Sequence, residues 1–243
     1  MRYGILSDAH GNIEALSVVI ERLAELGVDT YVFLGDAVGY GASPNEVCDR
    51  LRATADVAVL GNHDAAVAGR MDYTDYYDAA RHALDWCARS LSPENMAWLR
   101  TLPYTDGRED LRFCHGAPFD PPAFDYVFAA DQVLGHGEAL ADLEPITFVG
   151  HSHLTVSFRI EDEAVVPMIA PHIECNPRTR YIITVGSVGQ PRDRDPRACC
   201  GIYDSDKRVF TYHRFEYDIH GARQKIIDAG LPTVFGDRLL VGV

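Results

Sequence analysis

Short apolar runs alternate with amphipathic stretches over the first sixty residues. Residues 2–7, RYGILS, form an apolar run that stops at Asp8, as a buried strand does. Ile13, Leu16, Val19, Ile20, Leu23 and Leu26 then fall on one helical stripe, which predicts a helix with Asn12 as N-cap and Gly27 as its stop. TYVFLG predicts a second strand, SPNEVCDRLRA a short helix with Pro44 near its first turn, and VAVLGN a third strand. Short links between such elements predict parallel strand–helix–strand packing. Residues 73–102 carry a helical pattern that restarts at Ser92, Pro93 and Glu94. DLRFCHG returns to a strand, residues 129–142 predict another helix, and ITFVGHSH another strand. From about residue 154 the texture changes to strands joined by turns (TVSFRI, AVVPMI, RYIITVGSVG, ACCGIYD, RVFTYHRFEY), then a last helix, IHGARQKIIDAG, and a tail. The pattern predicts an α/β chain forming a single domain over residues 1–243, with two packed β-sheets and helices outside.

Composition narrows the possible partners. The chain has 243 residues, 36 acidic against 22 basic side chains and a formal net charge of −14. Such a surface repels polyanions, so non-specific nucleic-acid binding is not expected. No apolar stretch approaches the roughly 20 residues that span a bilayer, so no membrane partner is expected. The start MRYGILSDAHGN holds no signal-peptide core. Six cysteines stand without a CxxC spacing, which predicts reduced, buried thiols and a cytoplasmic protein.

The chemistry collects where the apolar runs end. The first run leads to Asp8 and His10, the second to Asp36, and the third to Asn62, His63 and Asp64. Later runs end in His115 and in the pair His151 and His153. Carboxyl ends of strands form the ligand-binding edge of open α/β sheets, so five strand ends are expected to deliver these side chains to one place. Imidazole, carboxylate and amide oxygen together suit divalent transition metals. Asp8, His10, Asp36, Asn62, His115, His151 and His153 together exceed one ion's usual shell but suit two ions that share a carboxylate. Two divalent cations beside two Asp carboxylates also reverse the local sign, as an anionic substrate requires.

The order D-x-H, G-D, G-N-H-D, H, G-H-x-H, running from Asp8 to His153, resembles the calcineurin-like metallophosphoesterase superfamily. GDAVGYGASPNEV, VGSVGQPRDRDPRA and AGLP are similar to segments of its small prokaryotic branch, some members of which are phosphodiesterases or diadenosine polyphosphate hydrolases. The resemblance implies an α/β/β/α sandwich of two mixed sheets, with the helical segment about 73–102 bordering the active site. It implies that Asp8, His10 and His153 bind one metal, that Asn62, His115 and His151 bind a second, and that Asp36 bridges them. The implied reaction is hydrolysis of a small phosphodiester or nucleotide by in-line attack of a metal-bridging hydroxide. His63 is assigned as general acid, with Asp64 fixing its orientation.

The arginine that follows the G-D motif in protein Ser/Thr phosphatases is absent, because Ala37, Val38, Gly39, Tyr40 and Gly41 follow Asp36. A protein-phosphatase reading is therefore disfavoured, and Arg192 is the expected phosphate-binding residue. Mn²⁺ is the expected metal, with Fe, Zn²⁺ and Ni²⁺ as alternatives. Three alternatives stay open: a diadenosine polyphosphate hydrolase, a phosphomonoesterase, and a non-catalytic binding or scaffold protein on the same fold.

Overall fold

The computed structural model describes residues 1–161 and 164–243. Its strands are β1 (Arg2–Leu6), β2 (Thr30–Phe33), β3 (Val57–Ala58), β4 (Thr105–Arg108), β5 (Leu111–Cys114), β6 (Ile146–Val149), β7 (Ser157–Ile160), β8 (Val165–Met168), β9 (His172–Glu174), β10 (Arg180–Thr184), β11 (Ala198–Asp204) and β12 (Val209–Phe215). The helices are α1 (Ile13–Glu25), α2 (Pro44–Thr54), α3 (Asn62–Val67), α4 (Asp78–Ser90), α5 (Pro93–Thr101), α6 (Ala130–Leu134), α7 (Ile219–Asp228) and α8 (Thr233–Leu239).

Two mixed six-stranded sheets run in the orders β3-β2-β1-β11-β12-β9 and β4-β5-β6-β10-β7-β8. β1, β2 and β3 are mutually parallel, as are β5, β6 and β10. The remaining pairings, β1 with β11 among them, are antiparallel.

Neighbouring side chains on these strands serve different cores, because they alternate across the sheet. Ile5, Phe113, Phe148 and Ile183 point between the two sheets, with Tyr203 and Phe210 from the partner strands. Their neighbours Leu6, Cys114, Val149 and Ile182 point outward under helices. Burial on both faces explains why these strands read as largely apolar runs rather than as alternating ones. α1 lays Leu16, Val19, Ile20 and Leu23 on one sheet, and α6 lays Val133 on the other. The layers are therefore helix, sheet, sheet, helix, as expected.

Local signals held at several helix ends. Asn12 Oδ1 accepts the Ala15 amide at 3.1 Å, and Ser92 Oγ accepts the Asn95 amide at 3.2 Å. Other expectations need correction. The third strand pairs over Val57–Ala58 only, because Leu60 turns away to bond the Pro103 carbonyl. The helix expected over 129–142 is broken: α6 ends at Leu134, and a 3₁₀ stretch, Gly137–Asp142, opens at a left-handed Gly137 (φ +52°). The expected tail holds α8, whose Phe235 and Leu239 are buried with Tyr40, Ala222 and Ile226. The strand β4 was not foreseen, since TDGR has no apolar signature.

No helix among the described residues is long and apolar enough to cross a membrane. All six cysteines are buried and unpaired.

Candidate metal centre

The ends of β1, β2, β5 and β6, with the start of α3, bring Asp8, His10, Asp36, Asn62, His115, His151 and His153 to one edge shared by both sheets. Each of the seven is at most 6% exposed, a depth at which polar groups need partners. His10 and His153 lie 143 positions apart in the chain, yet their Nε2 atoms are 3.2 Å apart.

The backbone holds these rings in one tautomer. His10 Nδ1 donates to the Val38 carbonyl at 3.0 Å, His115 Nδ1 to Leu34 at 2.8 Å, and His153 Nδ1 to Gln190 at 2.5 Å. A neutral ring that donates from Nδ1 keeps its lone pair on Nε2, and all three Nε2 atoms face inward. Asp8 Oδ1 lies 3.2 Å from His153 Nε2 and 3.8 Å from His10 Nε2, and it accepts no hydrogen bond. Asp36 Oδ2 lies 3.6 Å from His10 Nε2 and 3.3 Å from His115 Nε2, so it faces both sides of the cluster. Imidazole nitrogens and carboxylate oxygens converging at this depth are the arrangement a cation satisfies. Asp8–His10–His153 and Asp36–His115–His151 each bring three donor atoms within 4.8 Å of one another, and so do His10–Asp36–His63. The donor set fits a pair of divalent cations.

Asn62 lies beside the second group. Its Nδ2 donates to the Tyr76 hydroxyl at 2.7 Å, which turns Oδ1 inward to 3.1 Å from His115 Nε2. Tyr76 belongs to the segment 73–102, which thereby reaches the site's edge.

Electrostatics point the same way. Burial alone would raise the Asp8 and Asp36 carboxyls, but the facing imidazoles hold both well below the usual carboxylate range. Burial would also discharge His115, yet Asp36 and Asp8 outweigh it and raise that ring to about 9. Two ionised carboxylates thus draw positive charge into the cluster. Burial lowers His10 far below its ordinary value and His151 to about 3, leaving both neutral and able to ligate.

The loops carrying these groups are strained. Asp8, His10, Asp36, His151 and His153 all lie in the left-handed region, with φ between 45° and 61°. Such conformations cost of order 1–3 kcal/mol each and persist where the surroundings over-determine them. Gly61 shows how closely the loops pack, because a Cβ there would lie 2.0 Å from Asp36 Oδ1.

His63 sits inside the ring of aromatic groups. Its imidazole is 4.9 Å from that of His10 and 4.5 Å from Tyr40, centroid to centroid. Nδ1 is buried without a partner, and burial lowers the ring to about 4. Asp64 does not orient His63. Its carboxylate instead accepts the backbone amides of Asp36 (2.8 Å), Val38 (3.2 Å) and Gly61 (3.2 Å), tying two loops of the site together. Asp64→Ala leaves these amides unpaired at about 1–3 kcal/mol each, and should lower metal affinity about 10–100-fold. Thermal melts and metal titration of the variant check this.

Arg192 reaches the site. Its guanidinium is 5.8 Å from the Tyr40 ring centroid, bonds Gln190 Oε1 at 3.1 Å, and acts on His63 by its charge. Two other arginines of the same stretch are engaged elsewhere. Arg197 pairs with Asp195 at 2.6 Å, and Arg180 bonds the Ala141 and Leu143 carbonyls.

Residues 1–183 match the calcineurin-like phosphoesterase family. The chain belongs to that family. Calcineurin-like phosphoesterases are phosphoester hydrolases that use divalent metal ions. A metallophosphoesterase from Sphaerobacter thermophilus is 36% identical, with a TM-score of 0.84 over 100% of this chain and 99% of that one. An uncharacterized protein of Methanocaldococcus jannaschii is 34% identical over 247 residues, covering 98% of this chain and 97% of the relative. A hypothetical protein from Pyrococcus horikoshii shares the fold at 21% identity, with a TM-score of 0.77 over 100% of this chain and 98% of that one.

Two contributors escaped the sequence reading. The Leu34, Val38 and Gln190 carbonyls that fix the histidine tautomers act through backbone and have no residue signature. Tyr126, whose ring stacks on His151 at 3.9 Å and 17°, was legible only as part of the aromatic stretch FDYVF after the strand ending in His115.

Proposed function

We propose that this calcineurin-like phosphoesterase hydrolyses a small phosphodiester or nucleotide with two divalent transition metals. Asp8, His10 and His153 would hold one ion, Asn62, His115 and His151 the other, and Asp36 both. The observation that carries this reading is the approach of three Nε2 atoms, those of His153, His10 and His115, to 3.2, 3.8 and 3.9 Å from an unpartnered Asp8 oxygen. Held by these residues, a pair of cations would supply charge to the phosphoryl oxygens and would make water acidic enough to serve as nucleophile near neutral pH.

The chain's own groups do the rest. Arg192 offers a planar guanidinium to the phosphate. His63 donates a proton to the leaving ester oxygen. An anionic ester beside it opposes the lowering by burial and favours the protonated ring. Asp64 keeps the Asp36 and Asn62 loops in register.

The acidic surface supports a small substrate over nucleic acid, and six buried thiols suit a reducing compartment such as the cytoplasm. We take the chain to work as one domain. Mn²⁺ is the metal we expect to support turnover, since mixed nitrogen and oxygen ligation also admits Fe, Zn²⁺ and Ni²⁺.

One assay panel tests the reading. Protein loaded with Mn²⁺ is given bis(p-nitrophenyl) phosphate, p-nitrophenyl phosphate, cyclic nucleotides and diadenosine tetraphosphate. Hydrolysis of the diester is expected. Turnover of the monoester or tetraphosphate alone would replace it with one of those activities. Metal uptake with no turnover would leave a binding or scaffold role.

A further inference from the structure

The rim of the metal centre carries aromatic surface that phosphate chemistry does not need. Tyr126 lies in the irregular segment 124–128, between β5, which ends just before His115, and α6. One face of its ring is stacked on His151 at 3.9 Å and 17°. The residue is nonetheless 45% exposed, so the accessible area is the opposite face and its edge. Phe128, 49% exposed, extends this surface at 6.0 Å and 56°. Exposed apolar surface rimmed by polar groups is one mark of a ligand-binding groove.

We propose that Tyr126 selects esters carrying a planar aromatic group, an aryl ring or a nucleobase, by stacking that group on its open face. The inference rests on the phosphoesterase reading only for where the phosphate sits. Arg192 places a phosphate-binding charge beside both Tyr40 and Tyr126. The anion and the ring of one small ester can therefore be held side by side. Stacking on His151 fixes the plane of Tyr126 before substrate arrives, so little conformational freedom is lost on binding. An alkyl ester presents no π-face and gains none of the offset-stacking preference.

The test compares phenylphosphonate with methylphosphonate, which present the same anionic head and cannot be hydrolysed as esters. Calorimetric titration of the Mn²⁺-loaded protein should show phenylphosphonate binding tighter by about 5- to 150-fold, the range of base–aromatic stacking. Tyr126→Leu should bring that ratio to about 1, while Tyr126→Trp should keep or widen it. The ratio is the readout because any loosening of His151 weakens both probes together. Should Tyr126→Leu bind neither probe, the tryptophan variant decides. A ratio that survives in Tyr126→Leu, collapses in Tyr126→Trp, or is absent in the native protein overturns the proposal. Turnover of bis(p-nitrophenyl) phosphate is measured on the same preparation. Preference without turnover retires the phosphoesterase reading and supports the role of Tyr126. Turnover without preference does the reverse.

Discussion

Asp36→Asn is expected to lower the metal content to about half or less and turnover by about 10²–10³-fold or more. Asp36 is 1% exposed, and each of its polar atoms has a task. Oδ1 accepts the His63 amide at 2.8 Å, while Oδ2 faces His10 and His115 at 3.6 and 3.3 Å. Its carbonyl receives the His10 amide at 2.9 Å, joining the first two loops of the site. Asparagine preserves size and one acceptor, so the fold should stand. The shared negative charge disappears, however, and an amide NH₂ directed at the imidazoles opposes a cation where the carboxylate attracted one. Elemental analysis and a diester assay check both parts. Native metal content with native turnover would remove Asp36 from the centre.

His63→Ala should act differently, keeping the metals while losing turnover. The loss should be about 10²–10⁴-fold for esters with poor leaving groups, the usual range for a positioned proton donor. It should be much smaller for p-nitrophenyl esters, whose leaving group departs without protonation. His63 is 4% exposed between His10, Tyr40 and Tyr76, so the proton it gives is shielded from bulk water. The competing role is also visible, because His63 lies within a donor group with His10 and Asp36. Metal content separates the two roles. A variant that loses metal would identify His63 as a ligand, and one equally slow on all leaving groups would remove it as an acid.

The double histidine in GHSH has a physical resolution. Residues 151 and 153 both lie at positive φ (61° and 58°), so this stretch is not an extended strand with two rings on one face. His153 turns toward Asp8 and His10, and His151 toward Asp36 and His115. The backbone amide of His151 meanwhile bonds Asp8 Oδ2 at 3.2 Å, so the segment supplies a structural contact as well as two side chains.

Residue types alone settled a good deal of this protein. Apolar runs with polar stops placed β1, β2, β5 and β6, because strands buried on both faces are predominantly apolar up to the point where they leave the sheet. Those stops named the side chains that collect there, since carboxylates and imidazoles are rarely placed at core ends without partners. Tertiary packing decided the rest. TDGR joins a sheet through its backbone bonds to β5, which no apolar pattern announces. Asp64 takes three amides rather than an imidazole, because loops distant in sequence fold back over it. The carbonyls of Leu34, Val38 and Gln190 choose the histidine tautomers, and the ring of Tyr126 lies flat on His151. Each of these depends on backbone groups and long-range contacts, whose directions are set only when the two sheets meet.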